Sequence, residues 1–413
     1  MSWRERLGRN WGRLGMRSEW ITSTIDDICK LVTDGAHNSP KSVDNGYYMA
    51  SVKDFTAYGF DFSNCRKISE ADYLKLKKQG CVPESGDILV GKDGARYFED
   101  VIIYRQKEQP ALLSSIAILR VDDTKVTSEF LYYTLKSPAV KKAVRDNYGS
   151  GSAIPRIVLK DFKRMPISFP SLKEQKKITN ICELLDEKIQ LNNRINNNLE
   201  QQAQTLFDNF YDSLSGQSCI LSEIIDISDG THDSPKATEH GYPLVTSKHL
   251  LPFGVDTSSA NIISKADYDK VNERSKVNTG DILISMIGTV GLISYVIDSP
   301  VEFAIKNVGL FKTSKHPSLD LYILYYLKNK STTQHIEKCL AGSTQKYISL
   351  GELRKLPIVV PSPDELAAYN LVVRPIVSEI ALLMQENRRL SNLRDTLLPK
   401  LMSGELDVSG LDI

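Results

Sequence analysis

Two histidines each stand three residues after an aspartate, Asp34 with His37 and Asp229 with His232, inside an octapeptide that the chain contains twice. Thr33-Asp34-Gly35-Ala36-His37-Asn38-Ser39-Pro40 returns as Ser228-Asp229-Gly230-Thr231-His232-Asp233-Ser234-Pro235. A carboxylate beside an imidazole is raw material for acid/base catalysis or metal binding. One His and one Asp in a Gly/Ser/Pro turn are too few to hold a metal, so their expected role is to stabilise the turn. A second kind of chemistry lies between Lys136 and Arg164. Eight cations there (Lys136, Lys141, Lys142, Arg145, Arg156, Lys160, Lys163, Arg164) face Asp146 and Asp161, a local surplus of six positive charges. Such a run can track phosphates, and equally it can be a solvated helix face followed by a loop.

The elements that position these residues are themselves duplicated. Gly46-Tyr47 returns as Gly241-Tyr242, Lys53 as Lys248, and Ala71-Asp72-Tyr73 as Ala266-Asp267-Tyr268. Gly86-Asp87-Ile88-Leu89 matches Gly280-Asp281-Ile282-Leu283, while Gly151-Ser152, Pro166-Ile167 and Pro170-Ser171 match Gly342-Ser343, Pro357-Ile358 and Pro361-Ser362. A domain-sized period excludes solenoids and propellers, whose repeats are roughly 20–50 residues. Before each Pro-rich seam, Met165 to Pro170 and Leu356 to Pro361, short β-branched runs alternate with helical stretches, the texture of mixed α/β or α+β domains.

After each seam the pattern turns helical, with Ser171 and Ser362 as N-caps and acid at Glu174, Asp364 and Glu365. A 4-3 stripe runs through Leu185, Ile189, Asn192, Asn196, Leu199, Ala203 and Leu206, and corresponds residue for residue with Ile376, Ile380, Leu383, Asn387, Leu390, Arg394 and Leu397. The expected partner of each stripe is the other, in an antiparallel coiled coil with an internal pseudo-twofold repeat. Asn192, Asn196 and Asn387 cost stability in such a seam but can set its register; they can also turn to its edge. The resulting division is a flexible extension at 1–16, globular domains at 17–170 and 216–361, and helical spacers at 171–215 and 362–413.

Composition narrows the function. The chain has 413 residues, 41% hydrophobic and 25% charged, and its net charge is only +1, within the range of ordinary globular proteins. There is no apolar run of about 18 residues and no signal-like N-terminus, so a cytoplasmic location is expected. Six scattered cysteines without CxxC spacing read as free thiols. Neither a methyltransferase Asn/Asp-Pro-Pro-aromatic motif, nor a GxxxxGK[ST] loop, nor Gly-x-Ser-x-Gly occurs, so the expectation is a binder with no catalytic residues and no metal.

In order and in duplicate, the octapeptide, Gly280-Asp281-Ile282-Leu283 with Gly288-Thr289-Val290-Gly291, Gly342-Ser343-Thr344-Gln345, and the Leu-Pro-Ile seam entering a helix resemble the specificity subunit of Type I restriction-modification systems. The first copy departs at Gly91-Lys92-Asp93-Gly94-Ala95-Arg96 and at Gly151-Ser152-Ala153-Ile154. The resemblance implies two target recognition domains, each reading one half of a split double-stranded DNA target. It also implies helices that set the spacing and dock two methyltransferase subunits using S-adenosylmethionine, with two motor-nuclease subunits using ATP and Mg completing a restriction enzyme. Candidate DNA contacts are then Lys53, Lys92, Arg96, Ser152, Arg156 and Lys160 in the first domain, and Lys248, Thr289, Lys306, Ser343, Gln345 and Lys346 in the second. Arg96 suits guanine and Gln345 adenine, each bidentate contact worth about 1–3 kcal/mol of discrimination. The alternative is a non-catalytic protein–protein interaction scaffold, which the near-neutral charge favours.

Overall fold

The computed structural model describes residues 20–94, 96–148 and 156–408. The proposed extension at 1–16 lies outside them, as does Ser152. The chain forms two compact units, residues 1–188 with 390–413, and residues 189–389. Each unit takes one globular repeat, one part of the helix Leu172–Ser213 and one part of the helix Pro363–Met402.

Both units build the same mixed α/β module. In unit 1 a four-stranded antiparallel sheet has the order Cys29–Asp34, Ile116–Val121, Ile88–Gly91, Val101–Ile103. In unit 2 the order is Ile227–Asp229, Val308–Phe311, Ile282–Ser285, Ile293–Tyr295. The central strands read Ile-Leu-Val and Ile-Leu-Ile because both of their faces are buried. A three-stranded sheet is repeated as well, with Tyr47–Ala50 between Lys67–Ile68 and Ala111–Leu112, and Tyr242–Val245 between Asn261–Ile263 and Ala304–Ile305. Each proline seam closes its module as an edge strand, Pro166–Phe169 on Ile21–Thr24 and Pro357–Val359 on Ser218–Ile220, where a missing N–H is tolerated.

The motifs shared by the repeats hold this frame. Gly35 and Gly230 are glycines because a Cβ there would lie 2.3 Å from the carbonyl oxygens of Leu112 and Ile305. The returning tyrosines stack in pairs, Tyr47 on Tyr73 at 4.1 Å and Tyr242 on Tyr268 at 4.0 Å between ring centroids. Ser69 and Ser264 cap the helices that carry the second tyrosine of each pair, Glu70–Lys78 and Lys265–Ser275. In the Gly-Asp-Ile-Leu motifs the aspartate is fully buried and paired, Asp87 with the Arg120 guanidinium at 2.8 and 2.9 Å and Asp281 with the Lys312 ammonium.

The long helices have 42 and 40 residues, about 60 Å each at 1.5 Å per residue. Ser362 and Glu365 form a reciprocal capping box at the start of the second. Within unit 2 the helices run antiparallel: Asn192 Nδ2 donates to Glu386 Oε2 at 2.7 Å and Asn387 Oδ1 at 2.9 Å, and farther along Phe207 meets Tyr369 at 6.2 Å. Asn387 also donates to Asn193 Oδ1 at 2.9 Å, so of the three seam asparagines Asn192 and Asn387 pair across the helices, while the Asn196 Oδ1 is buried without a hydrogen-bond partner among the described residues. Within unit 1, Ile178 and Cys182 share a core with Leu398, Leu401 and Met402, and Arg394 pairs with Asp186, again antiparallel.

The stripe drifts from strict heptads. Ile189, Asn192, Ala203 and Ile380 are buried, and Leu185, Asn196, Leu199, Ile376, Leu383, Asn387, Leu390 and Leu397 are half-buried. Leu206 is a correction: it is exposed, and Phe207 occupies the core, because a straight helix at 3.6 residues per turn slides off a 3.5 repeat. One stretch of Pro363–Met402 is apolar enough, by length and composition, to cross a membrane. That helix also carries Arg374, paired with buried Asp320 at 2.7 Å, and its Leu366, Tyr369, Val373 and Val377 belong to the core of unit 2. All six cysteines are free thiols, and no group of side chains suited to a metal occurs among the described residues.

Candidate nucleic-acid interface

In each unit two loops meet at the end of the four-stranded sheet. In unit 2 the Gly288 loop continues from Ile282–Ser285, and Ile287 bridges to Tyr347. Gly288 N–H donates to Lys346 O at 3.1 Å. Gly288, Gly291 and Gly342 adopt left-handed φ of 79°, 91° and 91°, which lets both loops turn tightly. This brings Thr289, Ser343, Gln345 and Lys346 into one exposed cluster. In unit 1 the matching bridge joins Asp93 to Arg156, with Gly94 at φ 95°. Arg96 there is 76% exposed, and Asp100 holds it by hydrogen bond and charge at 2.7 Å, which raises the guanidinium above its ordinary range.

Lys53 and Lys248 occupy equivalent exposed 3-10 turns, and Lys160 is exposed on Leu159–Arg164. Lys306 is half-buried and donates to Ser234 Oγ, with its backbone bridged to Thr231. Lys92 departs from its expected role: it is buried, and its ammonium pairs with Asp34 at 3.2 Å, so it is spent inside the domain. A lysine in a Gly loop reads as exposed, but here it follows strand Ile88–Gly91 inward to neutralise a carboxylate.

The two Asp–His pairs form as turn geometry, with His37 Nε2 3.2 Å from Asp34 and His232 Nε2 3.1 Å from Asp229. What the sequence did not disclose is the third member of each set. Lys92 joins Asp34, whereas Arg274 from the helix Lys265–Ser275 joins Asp229, and His232 Nδ1 also lies 2.8 Å from Asn307 Oδ1. The imidazoles remain largely exposed, the carboxylates are covered and charge-paired, and no nucleophile completes a catalytic set in the contacts of either pair. A signal for Arg274 exists only in aligning the repeats, where Gln79 stands at its position.

Fold and site together define a duplicated recognition module, one frame presenting two different loop clusters. The pattern of the Type I restriction modification DNA specificity domain matches residues 17–201 and again 220–366, and the chain belongs to that family. Among curated relatives, the Type I restriction enzyme MjaIX specificity subunit of Methanocaldococcus jannaschii is 25% identical, covering 69% of this chain and 71% of the relative. The MjaVIII specificity subunit of the same organism is 22% identical, over 82% and 84%. The crystal structure of a Type I restriction-modification S subunit from M. genitalium shares the fold, with a TM-score of 0.52 at 17% identity over 94% of this chain and 96% of that one.

Proposed function

We infer that this chain is the DNA-specificity subunit of a Type I restriction-modification assembly, in which each repeat reads one half of a bipartite DNA target. The observation that carries this reading is the family pattern occurring once per repeat, over two modules whose buried frame is the same and whose exposed loop clusters differ. A reader that must recognise two different sequences with one fold needs that division, since base contacts specify and the frame only positions them.

The finer assignments rest on chemistry. Thr289, Ser343, Gln345 and Lys346 are the base- and phosphate-contacting set of the second domain, and Arg96, Arg156 and Lys160 that of the first. The long helices set the separation of the half-sites. On the unit 2 part of Pro363–Met402, exposed Leu371, Val372 and Leu382 are apolar side chains suited to docking a protein subunit; in unit 1, Leu184 is exposed on Leu172–Ser213 as well. Those subunits are two adenine methyltransferases using S-adenosylmethionine and, where the assembly also cuts, two ATP- and Mg-dependent motor nucleases. The separation of labour is physically reasonable: an adenine must leave the stack to be methylated, so another subunit holds the register.

The test is modified-base sequencing of DNA from cells expressing this chain with its neighbouring methyltransferase, against cells expressing the methyltransferase alone. A split adenine-methylated motif that requires this chain is the expected result. Identical methylation in the two cultures, with both proteins expressed, would favour a protein-binding scaffold.

A further inference from the structure

In unit 1 a cleft of about 430 Å³ opens between the helix Pro138–Asn147 and the C-terminal part of Pro363–Met402. Lys136, Lys141, Lys142, Arg145 and Arg394 line it. The carboxylates in contact with these five cations are three: Glu99 with Lys141 and Arg145, and Asp186 and Asp395 with Arg394. Lys136 and Lys142 have no ion pair among the described residues. The Lys136 ammonium donates to Tyr132 Oη at 2.8 Å and lies 4.8 Å from the centre of that ring. Burial holds it below the ordinary lysine range.

The second repeat supplies an internal control. Lys328 stands where Lys136 does, on the helix Asp320–Lys328, and it pairs with Glu200. Thr333, Gln334 and Glu337 replace Lys141, Lys142 and Arg145, and Ala203 replaces Arg394. Lys330, first residue of the helix Lys330–Lys338, replaces Pro138, so the same place carries two cations and two carboxylates in the second repeat, a balanced set, against five and three in the first. Two modules with one fold need no such difference for packing. A half-enclosed cationic cleft left short of counter-charge costs stability until an anion enters it. Lysine ammonium groups bind phosphate as compact point charges with freely rotating donors.

We propose that this cleft is a phosphate-binding site, occupied by a backbone phosphate of DNA or by a free phosphate group. Only the first source rests on the DNA-specificity reading. It gives the first repeat a sequence-independent grip that the second lacks.

The experiment uses the full chain assembled with its methyltransferase. DNA affinity is measured against salt for the wild type, Lys142→Gln, Lys136→Met and, as the control on the matching helix, Lys330→Gln. If DNA supplies the phosphate, Lys142→Gln weakens cognate and non-cognate duplexes by the same factor, lowers the log–log salt slope by about 0.9 for each phosphate no longer neutralised, and leaves the methylated motif unchanged. If free phosphate is the ligand, the slopes stay equal. Inorganic phosphate on the order of 10 mM, at constant ionic strength, then raises the melting midpoint of the wild type but not of the Lys142→Gln and Lys136→Met variants. The proposal is overturned if neither quantity changes, or if Lys330→Gln has the same effect as Lys142→Gln. Failure of wild-type DNA binding would count against the specificity reading instead, and the phosphate arm would still decide the cleft.

Discussion

Where the long helices meet the first globular repeat, buried Asp186 accepts hydrogen bonds from the Arg394 guanidinium and from Tyr133 Oη, the latter at 2.7 Å. At the matching positions of the second repeat stand Val377, Ala203 and Tyr325, which pack with Phe207, Tyr322 and Tyr369 in one hydrophobic core and put no ion pair there. One backbone plan thus accepts two solutions to the same packing problem. The first is costly to break and cheap to replace whole, because removing one partner strands a charge while an apolar substitute strands none. The difference shows that duplication preserved the geometry of the module and not its chemistry.

That contrast can be broken at its strongest point. Asp186→Ala should destabilise unit 1 by about 3–5 kcal/mol, leaving Arg394 with only Asp395, and chemical denaturation would show it as a lowered midpoint. Replacing the charged layer by an uncharged one, with Asp186→Val and Arg394→Ala taken from the second repeat and Tyr133→Phe added so that no hydroxyl is stranded, should recover most of that loss or exceed it. A triple variant weaker than Asp186→Ala would show that the two layers are not interchangeable.

A smaller effect concerns the cation that serves the octapeptide aspartate. Lys92→Met places the second repeat's Met286 in the first and leaves Asp34 with His37 alone, a loss of about 1–3 kcal/mol. Adding Gln79→Arg, the counterpart of Arg274, should restore part of the midpoint. No recovery would mean that the position of the cation, and not its presence, is what the turn requires.

The smallest effect depends on pH. Asp54 accepts from Ser51 N–H at 2.8 Å, and at the same place in unit 2 His249 Nδ1 accepts from Thr246 N–H at 2.9 Å. Burial first, and the Lys248 charge second, lower the His249 pKa, so the ring is held neutral as an acceptor. A base with a depressed folded pKa gives stability above its unfolded value of about 6.5 that is lost as pH falls through the folded value. The melting midpoint of unit 2 should therefore fall on acidification below about 6.5, and His249→Asp should remove that component of the fall.

Much of the fold is legible in the sequence because the duplicated residues are the ones with geometric duties. Gly35 and Gly230 recur since a Cβ would clash with a carbonyl oxygen, the tyrosines recur since each ring stacks on its partner, and the serine caps recur since helix ends need acceptors. Lys92 misleads because sequence shows a side chain's charge and not the direction its strand takes. Leu206 misleads because a heptad count does not hold for a helix that keeps 3.6 residues per turn. The bridges between the Gly288 loop and the Gly342 loop, and between Asp93 and Arg156, join segments some sixty residues apart, which no local pattern announces. The cleft at Lys136 is visible in sequence only as a charge run, until its counterpart at Lys328 shows what a balanced version looks like.

The most direct test of two readers on one frame is to replace Ser343, Thr344, Gln345 and Lys346 with alanine and sequence the modified bases of DNA from cells that also express the methyltransferase. The account predicts that one half of the split motif degenerates while the other half and the spacing between them are unchanged. A motif altered in both halves, or unaltered in either, would contradict it.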